Sequence, residues 1–428
     1  MVIDLENESF AKTFQTTPGY LRDVLVPQGE LLPNYYATGH VSLDNYIAQV
    51  SGQAPNTISN TDCLDPSTFQ GAYKDVSPGT LATDQKKYPG QVDGQGCVYP
   101  AIAQTIGDQL DAAANGSASH ITWREYAEDM GNNASRDNGT ADPLGGTDCA
   151  HPVQTNGTGS DGTNAATSTD QYATRHNPFM YFHSIIDSQS RCNSHVVPLG
   201  TVTVGTNGAP DTFNSHLAQD LATPATTPAF SFVTPNLCND GHDPSQGGTC
   251  TGTDTEGNNV GGLTSANAWL KHWMPLILNS PAYQSGHMLV VITADEGAIQ
   301  DSQAGDNEQP GPGNPNPGYS SILNVPIPTL GNKTYYQLLH VSGITPMQTP
   351  TTPGILPGGG QIGALLLNPT YVHVGTTDTS STTYNHYSAL RTYEDLLGLT
   401  TGGADGKGHL GFASTATSFG ADVFTKGN

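Results

Sequence analysis

His287-Met-Leu-Val-Val-Ile-Thr293 runs unbroken into Ala294-Asp295-Glu296-Gly297. The apolar run reads as a strand buried on both faces, and two adjacent carboxylates follow its far end. Val2–Leu5, Ala229–Val233 and Ile362–Leu367 read the same way, with a further short strand expected at Ile121–Tyr126. Helical spacing falls between these runs. It appears at Leu43, Tyr46, Ile47 and Val50 after Ser42, and at Ile102, Ile106 and Leu110 within Tyr99–Ala114. A helix is expected to start at Asn177-Pro-Phe179, another over Ala266–Leu278 with a kink at Pro275, and a last one from Asn385-His386 to Leu397, closed by Gly398. Strands alternate with helices and several strands are apolar throughout. That pattern predicts an α/β fold with a mainly parallel central sheet flanked by helices.

Turn-rich insertions interrupt the pattern at about residues 52–98, 128–170 and 298–320. Residues 128–170, dense in Asn, Gly, Asp and Thr, read as a long loop. At 428 residues the chain exceeds the usual single-core size, yet no repeat or linker divides it, so one elaborated domain over 1–428 is expected.

The balance of charge is acidic, with 14 Lys plus Arg against 38 Asp plus Glu and a formal charge of -24. A basic footprint for nucleic acid is missing, and an anionic membrane surface is disfavoured for the same reason. No window approaches a membrane span, and no basic amphipathic stretch stands out. No protein partner is indicated. The six cysteines form no C-x-x-C pair, which argues against a zinc ribbon. Their even number in loop-like sequence suggests disulfides and a secreted or periplasmic location. Of 15 pairings, the one expected joins neighbours in order: Cys63–Cys97, Cys149–Cys192 and Cys238–Cys250. No signal peptide precedes the first strand, so a leader is expected to have been removed. Asn115, Asn133, Asn138 and Asn156 begin glycosylation sequons.

Polar residues follow several strand ends: Glu6 and Asn7, then His40 and Ser42, then His242, then Asp295 and Glu296. In a parallel sheet such ends emerge on one edge, where open α/β sheets bind ligands. Each has a plainer reading. Ser42 at a helix start is an ordinary cap, the carboxylates are solvated strand ends, and a lone His is structural. Together they describe chemistry. Glu6, Asn7, Asp295 and Glu296 offer the oxygen donors that suit one hard divalent cation, Ca²⁺ or Mg²⁺ first and Mn²⁺ or Fe after them. A cation beside Ser42 would lower its hydroxyl pKa and offset the charge of a phosphate ester. A helix N-terminus holds anions, and His40 and His242 can donate to phosphate oxygens or to a leaving group.

Five segments also resemble a known family: Leu5–Phe10, His40–Tyr46, Thr234–Asp243, Ile292–Gly297 and Asn385–Glu394. In that order they resemble the secreted phosphoesterases that group acid phosphatases with bacterial phospholipases C, in the alkaline-phosphatase-like superfamily. The resemblance implies an alkaline-phosphatase-like sheet. It implies one metal held by Glu6, Asn7, Asp295 and Glu296 together with the nucleophile Ser42, where the phospholipase branch carries Thr. It assigns His242 and His40 to the phosphate and sets Asn45 against or behind it. His386 lies where the phospholipase branch reads Asp-His-Thr-Ser, and Asn385 stands here in place of the Asp. The segment Asp306–Pro312 lacks a Cys pair that relatives often carry. Asn7 also begins a sequon, and it must stay bare if it is a ligand.

The expected function is a secreted, metal-dependent acid phosphatase that hydrolyses small-molecule phosphomonoesters through a phosphoserine. The rivals are a phospholipase C-type phosphodiesterase and a non-catalytic secreted binding protein with a structural cation.

Overall fold

The computed structural model describes residues 1–428 except 40, 57, 64–70, 87, 115–121, 134–137, 165–166, 244–248, 254–256, 258, 298–320, 327–333, 340–358 and 426–428. His40 and the expected insertion 298–320 therefore lie outside the described residues.

An eight-stranded sheet organises the chain. Its strands are β1 (Val2–Leu5), β2 (Glu30–Leu32), β3 (Trp123–Ala127), β4 (Val196–Pro198), β5 (Phe230–Thr234), β6 (Val290–Ala294), β7 (Ala364–Leu367) and β8 (Thr376–Thr377). The order across the sheet is β4-β3-β5-β1-β6-β7-β2-β8. All neighbours from β4 to β6 are parallel. β7 runs against both β6 and β2, and β8 is parallel to β2. The sheet is thus mainly parallel, with one reversed strand that an apolar run alone cannot foretell. Backbone pairing carries β1 to the centre. Val2 sits opposite Phe232 on one side and Val291 on the other, so every polar residue beyond Leu5 emerges between two neighbouring strand ends.

The principal helices are α1 (Ser42–Ser51), α2 (Ile106–Ala114), α3 (Gly262–Leu278) and α4 (His386–Leu396). All ten residues of α1 are buried, which fixes its first turn tightly against the sheet edge. It ends at Gly52, whose φ of 67° lies in the left-handed region, and a Cβ there would sit 2.5 Å from the Leu410 carbonyl oxygen. α3 keeps Trp269, Leu270, Trp273 and Ile277 buried, as its spacing predicts, and holds Pro275 inside the helix.

Three elements differ from expectation. Helix α2 starts only at Ile106, because Thr105 and Asp108 cap it reciprocally: Thr105 N–H donates to Asp108 Oδ2 at 2.7 Å and Asp108 N–H to Thr105 Oγ1 at 3.2 Å. Upstream, Tyr99 N–H donates to the Tyr181 carbonyl, so that backbone is committed elsewhere and Ile102 stays 53% exposed. The stretch after Asn177 is a 3₁₀ turn (Pro178–Tyr181) followed by two short helices rather than one helix. Within 128–170, Asn138–Ala141 pairs with Thr147–His151 and Gln154–Thr155 with Thr158–Gly159. These hairpins are too short and Gly-rich to show alternation in sequence. The disulfides are Cys63–Cys97, Cys149–Cys192 and Cys238–Cys250, the neighbour pairing expected. Among the described residues no helix is long and apolar enough to cross a membrane.

Candidate functional site

The carboxyl ends of β1, β5 and β6 meet where α1 begins. Glu6 N–H donates to the Asp240 carbonyl at 2.9 Å and Asp295 N–H to the Leu5 carbonyl at 3.0 Å, so three loops are stitched together by backbone. Asn7 takes a left-handed φ of 54°, which turns its N–H onto Asp295 Oδ1 at 2.9 Å. Its side-chain amide donates to Glu6 Oε1 at 3.1 Å.

Glu6 is the hub. Ser42 Oγ donates to its Oε1, and the Tyr46 hydroxyl donates to its Oε2 at 3.1 Å. Ser42 and Tyr46 stand four residues apart, so one face of α1 presents both hydroxyls to the same carboxylate. His176 Nε2 lies 3.2 Å from Glu6 Oε1, and its ring stacks on Tyr46 with centroids 5.2 Å apart and 11° between planes. On its far side, His176 Nδ1 lies 3.7 Å from Asp240 Oδ2. Ser42, Glu6, Asp295 and Glu296 are all buried.

Burial raises the Glu6 carboxyl, but the His176 and His242 charges and the Ser42 hydroxyl outweigh it and hold Glu6 below the usual range. Asp295 and Asp240 go the other way: burial, then the negative charge of Glu6, pushes both well above ordinary carboxylates. Asp295 Oδ2 and Asp240 Oδ2 are buried without a hydrogen-bond partner among the described residues. Three carboxylates so confined cannot all ionise without a positive charge between them. An orphaned carboxylate oxygen in an oxygen-rich shell is the condition that a hard divalent cation relieves.

The His242 side chain is 43% exposed, with Nδ1 3.0 Å from Asp243 Oδ1 and the backbone N–H donating to Asp240 Oδ1 at 2.9 Å. Burial opposes its protonation, yet Asp243 and the charges of Glu6 and Asp240 push it up to about 9. It is a proton donor across the neutral and acidic range.

Two expected site residues act behind this group. Asn45 Oδ1 accepts from Thr38 N–H, Gly39 N–H and Thr38 Oγ1, and its amide donates to the Gly39 and Val41 carbonyls. It ties Thr38, Gly39 and Val41 to the first turn of α1. His386 Nε2 lies 2.6 Å from the Asp295 carbonyl oxygen and Nδ1 lies 3.1 Å from the Tyr35 hydroxyl. A carbonyl only accepts, so Nε2 carries the proton and Nδ1 accepts from Tyr35. Burial lowers this ring to about 4. His386 therefore holds the Asp295 turn as a neutral imidazole. His176, Tyr46 and Asp240 were not expected at the site. His176 precedes a Pro-Phe turn without periodicity, and only its place beside Asn177-Pro178 could have drawn notice.

A second cluster lies elsewhere. Among the described residues, Asp142, Asp148 and His216 form the one group of three His, Cys, Asp or Glu side chains with ligand atoms within 4.8 Å of one another. Glu6, Asp295 and Glu296 are not drawn so close. In the Asp142 group, His216 Nε2 is 2.6 Å from Asp142 Oδ2.

No protein-family model matches the chain. An acid phosphatase of Aspergillus fumigatus is 24% identical over 272 residues, covering 64% of this chain and 39% of that protein. A phosphate-repressible acid phosphatase of Penicillium chrysogenum is 25% identical over 274 residues, covering 64% and 42%. The match thus spans about two fifths of the length of these curated relatives. Among solved structures, a protein in the alkaline phosphatase superfamily from Vibrio parahaemolyticus overlays 93% of this chain and 65% of its own at 13% identity and a TM-score of 0.38. Ps i-CgsB in complex with k-i-k-neocarrahexaose overlays 93% and 71% at 11% identity and 0.39. Overlays this loose carry no argument.

Proposed function

We propose that this chain is a metal-dependent phosphoesterase that hydrolyses phosphomonoesters through Ser42. The observation that carries the reading is the hydroxyl of Ser42, held on the Glu6 carboxylate at the carboxyl edge of the sheet, a carboxylate that His176 also contacts and on which the charge of His242 acts. The two curated relatives, both named acid phosphatases, support it.

Glu6, Asn7, Asp295 and Glu296, with Ser42 itself, are the residues that would hold the cation. When bound it would offset phosphate charge and acidify the serine hydroxyl. The chain's own groups do the rest. Glu6 fixes the direction of the Ser42 hydroxyl. Ser42 Oγ passes its proton to the Glu6 carboxylate it already donates to and attacks phosphorus as the ester oxygen departs on the opposite side, leaving a phosphoserine and an alcohol. The alcohol oxygen takes its proton from His242, whose pKa is pushed up to about 9 and whose side chain is exposed. A water molecule, giving a proton to the now neutral His242, then attacks the phosphoserine; the P–Oγ bond breaks, Ser42 Oγ takes its proton back from Glu6, and inorganic phosphate leaves. Positioning and charge neutralisation supply most of the acceleration in such a step. The three disulfides fit an oxidising, extracellular or periplasmic setting.

Ser42→Ala tests this reading. It is expected to abolish turnover of an aryl phosphate, with metal content by elemental analysis intact. Near-normal hydrolysis would remove Ser42 as nucleophile.

A further inference from the structure

Phosphomonoesters and diesters differ in charge and in the number of oxygens left for the protein to grip. A monoester dianion offers three non-bridging oxygens, whereas a diester offers two and a single charge. A site that prefers the monoester needs a cationic donor for the third oxygen. In a chain of charge -24, that donor must be held in place locally.

The residue beside His176 is Arg175, and its surroundings fit that task. Its Nε lies 3.7 Å from Asp62 Oδ2, with the side chain 15% exposed. The other oxygen of Asp62 accepts the Leu43 N–H at 2.9 Å. Leu43 follows Ser42 in the first turn of α1. One carboxylate therefore ties the guanidinium to the start of the nucleophile's helix, and the Cys63–Cys97 disulfide anchors the backbone next to Asp62. The peptide that carries Arg175 is fixed from the other side as well, through the contact of His176 with Glu6 and its stack on Tyr46. Burial works against the charge on Arg175, but Asp62, then Glu6 and Asp161, keep it protonated. Arginine is suited to the position because its planar fork matches phosphate oxygens and it never loses its charge.

We infer that Arg175, set by Asp62 beside the start of α1, grips a non-bridging phosphate oxygen and makes the site selective for monoesters over diesters. This inference rests on the phosphoesterase reading of the Ser42 site. It adds a specificity residue that the acid-base and nucleophile roles do not require.

The test compares the full chain with Arg175→Met and Arg175→Lys on an aryl phosphate and on the corresponding diaryl diester. In Arg175→Met the ratio of kcat/KM for monoester over diester is expected to fall by about tenfold or more, the scale of one charge-assisted contact. Inhibition by inorganic phosphate is expected to weaken in parallel. Arg175→Lys is expected to recover part of the ratio. If Arg175→Met fails to fold, Asp62→Asn takes its place, and a smaller fall in the same ratio is expected. An unchanged ratio in either variant, or equal losses on both esters, overturns the specificity role while leaving the phosphoesterase reading intact. Wild-type protein that splits neither ester overturns both.

Discussion

His386 shows how a single buried ring near the site couples stability to pH. Its ring is buried and neutral, with both nitrogens committed to Asp295 and Tyr35. Its folded pKa is about 4, below the ordinary 6.5 that an unfolded chain restores. Between those values the unfolded state binds the extra proton, so stability falls as pH drops from 6.5 and the loss is complete near 4. The full loss is on the order of 3 kcal/mol. The buried carboxylates Asp4, Asp240 and Asp295, raised above their ordinary range, give the opposite slope, so the contribution of this ring is read as the difference between the wild-type and His386→Gln melting temperatures, which should widen from pH 4 to pH 7 in favour of the wild type. An unchanged acid slope in the variant would show that other groups set it. Glu6 and Ser42 could be paired from sequence because both follow strand ends. Asp240 and His176 could not, since each comes from a turn whose path depends on the cystine-closed loop or the 3₁₀ segment around it.

At the scale of elements, the start of α4 shows Asn385 at work as a helix cap. Asn385 Oδ1 accepts from Ser388 N–H at 3.1 Å while Ser388 Oγ accepts from Asn385 N–H at 3.1 Å, a reciprocal cap. Asn and Asp are equally good at that position. Asn385→Asp is therefore expected to leave the melting temperature nearly unchanged, and Asn385→Ala to cost about 1 kcal/mol. A denaturation series on the two variants decides it. The buried strands and α1 were legible because apolar runs and 3.6-residue spacing register burial directly. The antiparallel sense of β7 was not, since a strand buried on both faces reads alike in either direction. Helix α2 was overrun because Ile102 matches the helical spacing while Thr105 stops the helix, and the spacing carries no record of the cap. The loop closed by Cys238–Cys250 carries Asp240 and His242, and removing both cysteines should destabilise the chain by about 3 kcal/mol in the chain-entropy view. It should also reduce kcat more than the loss of Cys149–Cys192, measured at a temperature where all variants remain folded.

For the whole molecule the controlling quantity is negative charge. A chain of formal charge -24 repels itself, and it also buries Asp4, Glu6, Asp240 and Asp295 around one end of one sheet. Burial raises Asp4, Asp240 and Asp295 well above ordinary carboxylates, so a cation bound at the proposed site would be expected to displace protons as it binds. A divalent cation bound only by the folded state adds stability that grows with its free concentration, reaching about 2.7 kcal/mol at a hundredfold excess over its Kd. In a chain of this size that corresponds to a rise of roughly 3 °C in melting temperature. Chelation should reverse it. Replacing a carboxylate discriminates the cause: Asp295→Asn should melt at the same temperature with and without added cation, whereas Asp142→Asn should keep the difference if the cation sits at the sheet edge. The opposite pattern would place the stabilising ion on the Asp142, Asp148 and His216 cluster and leave the Ser42 site to work without it.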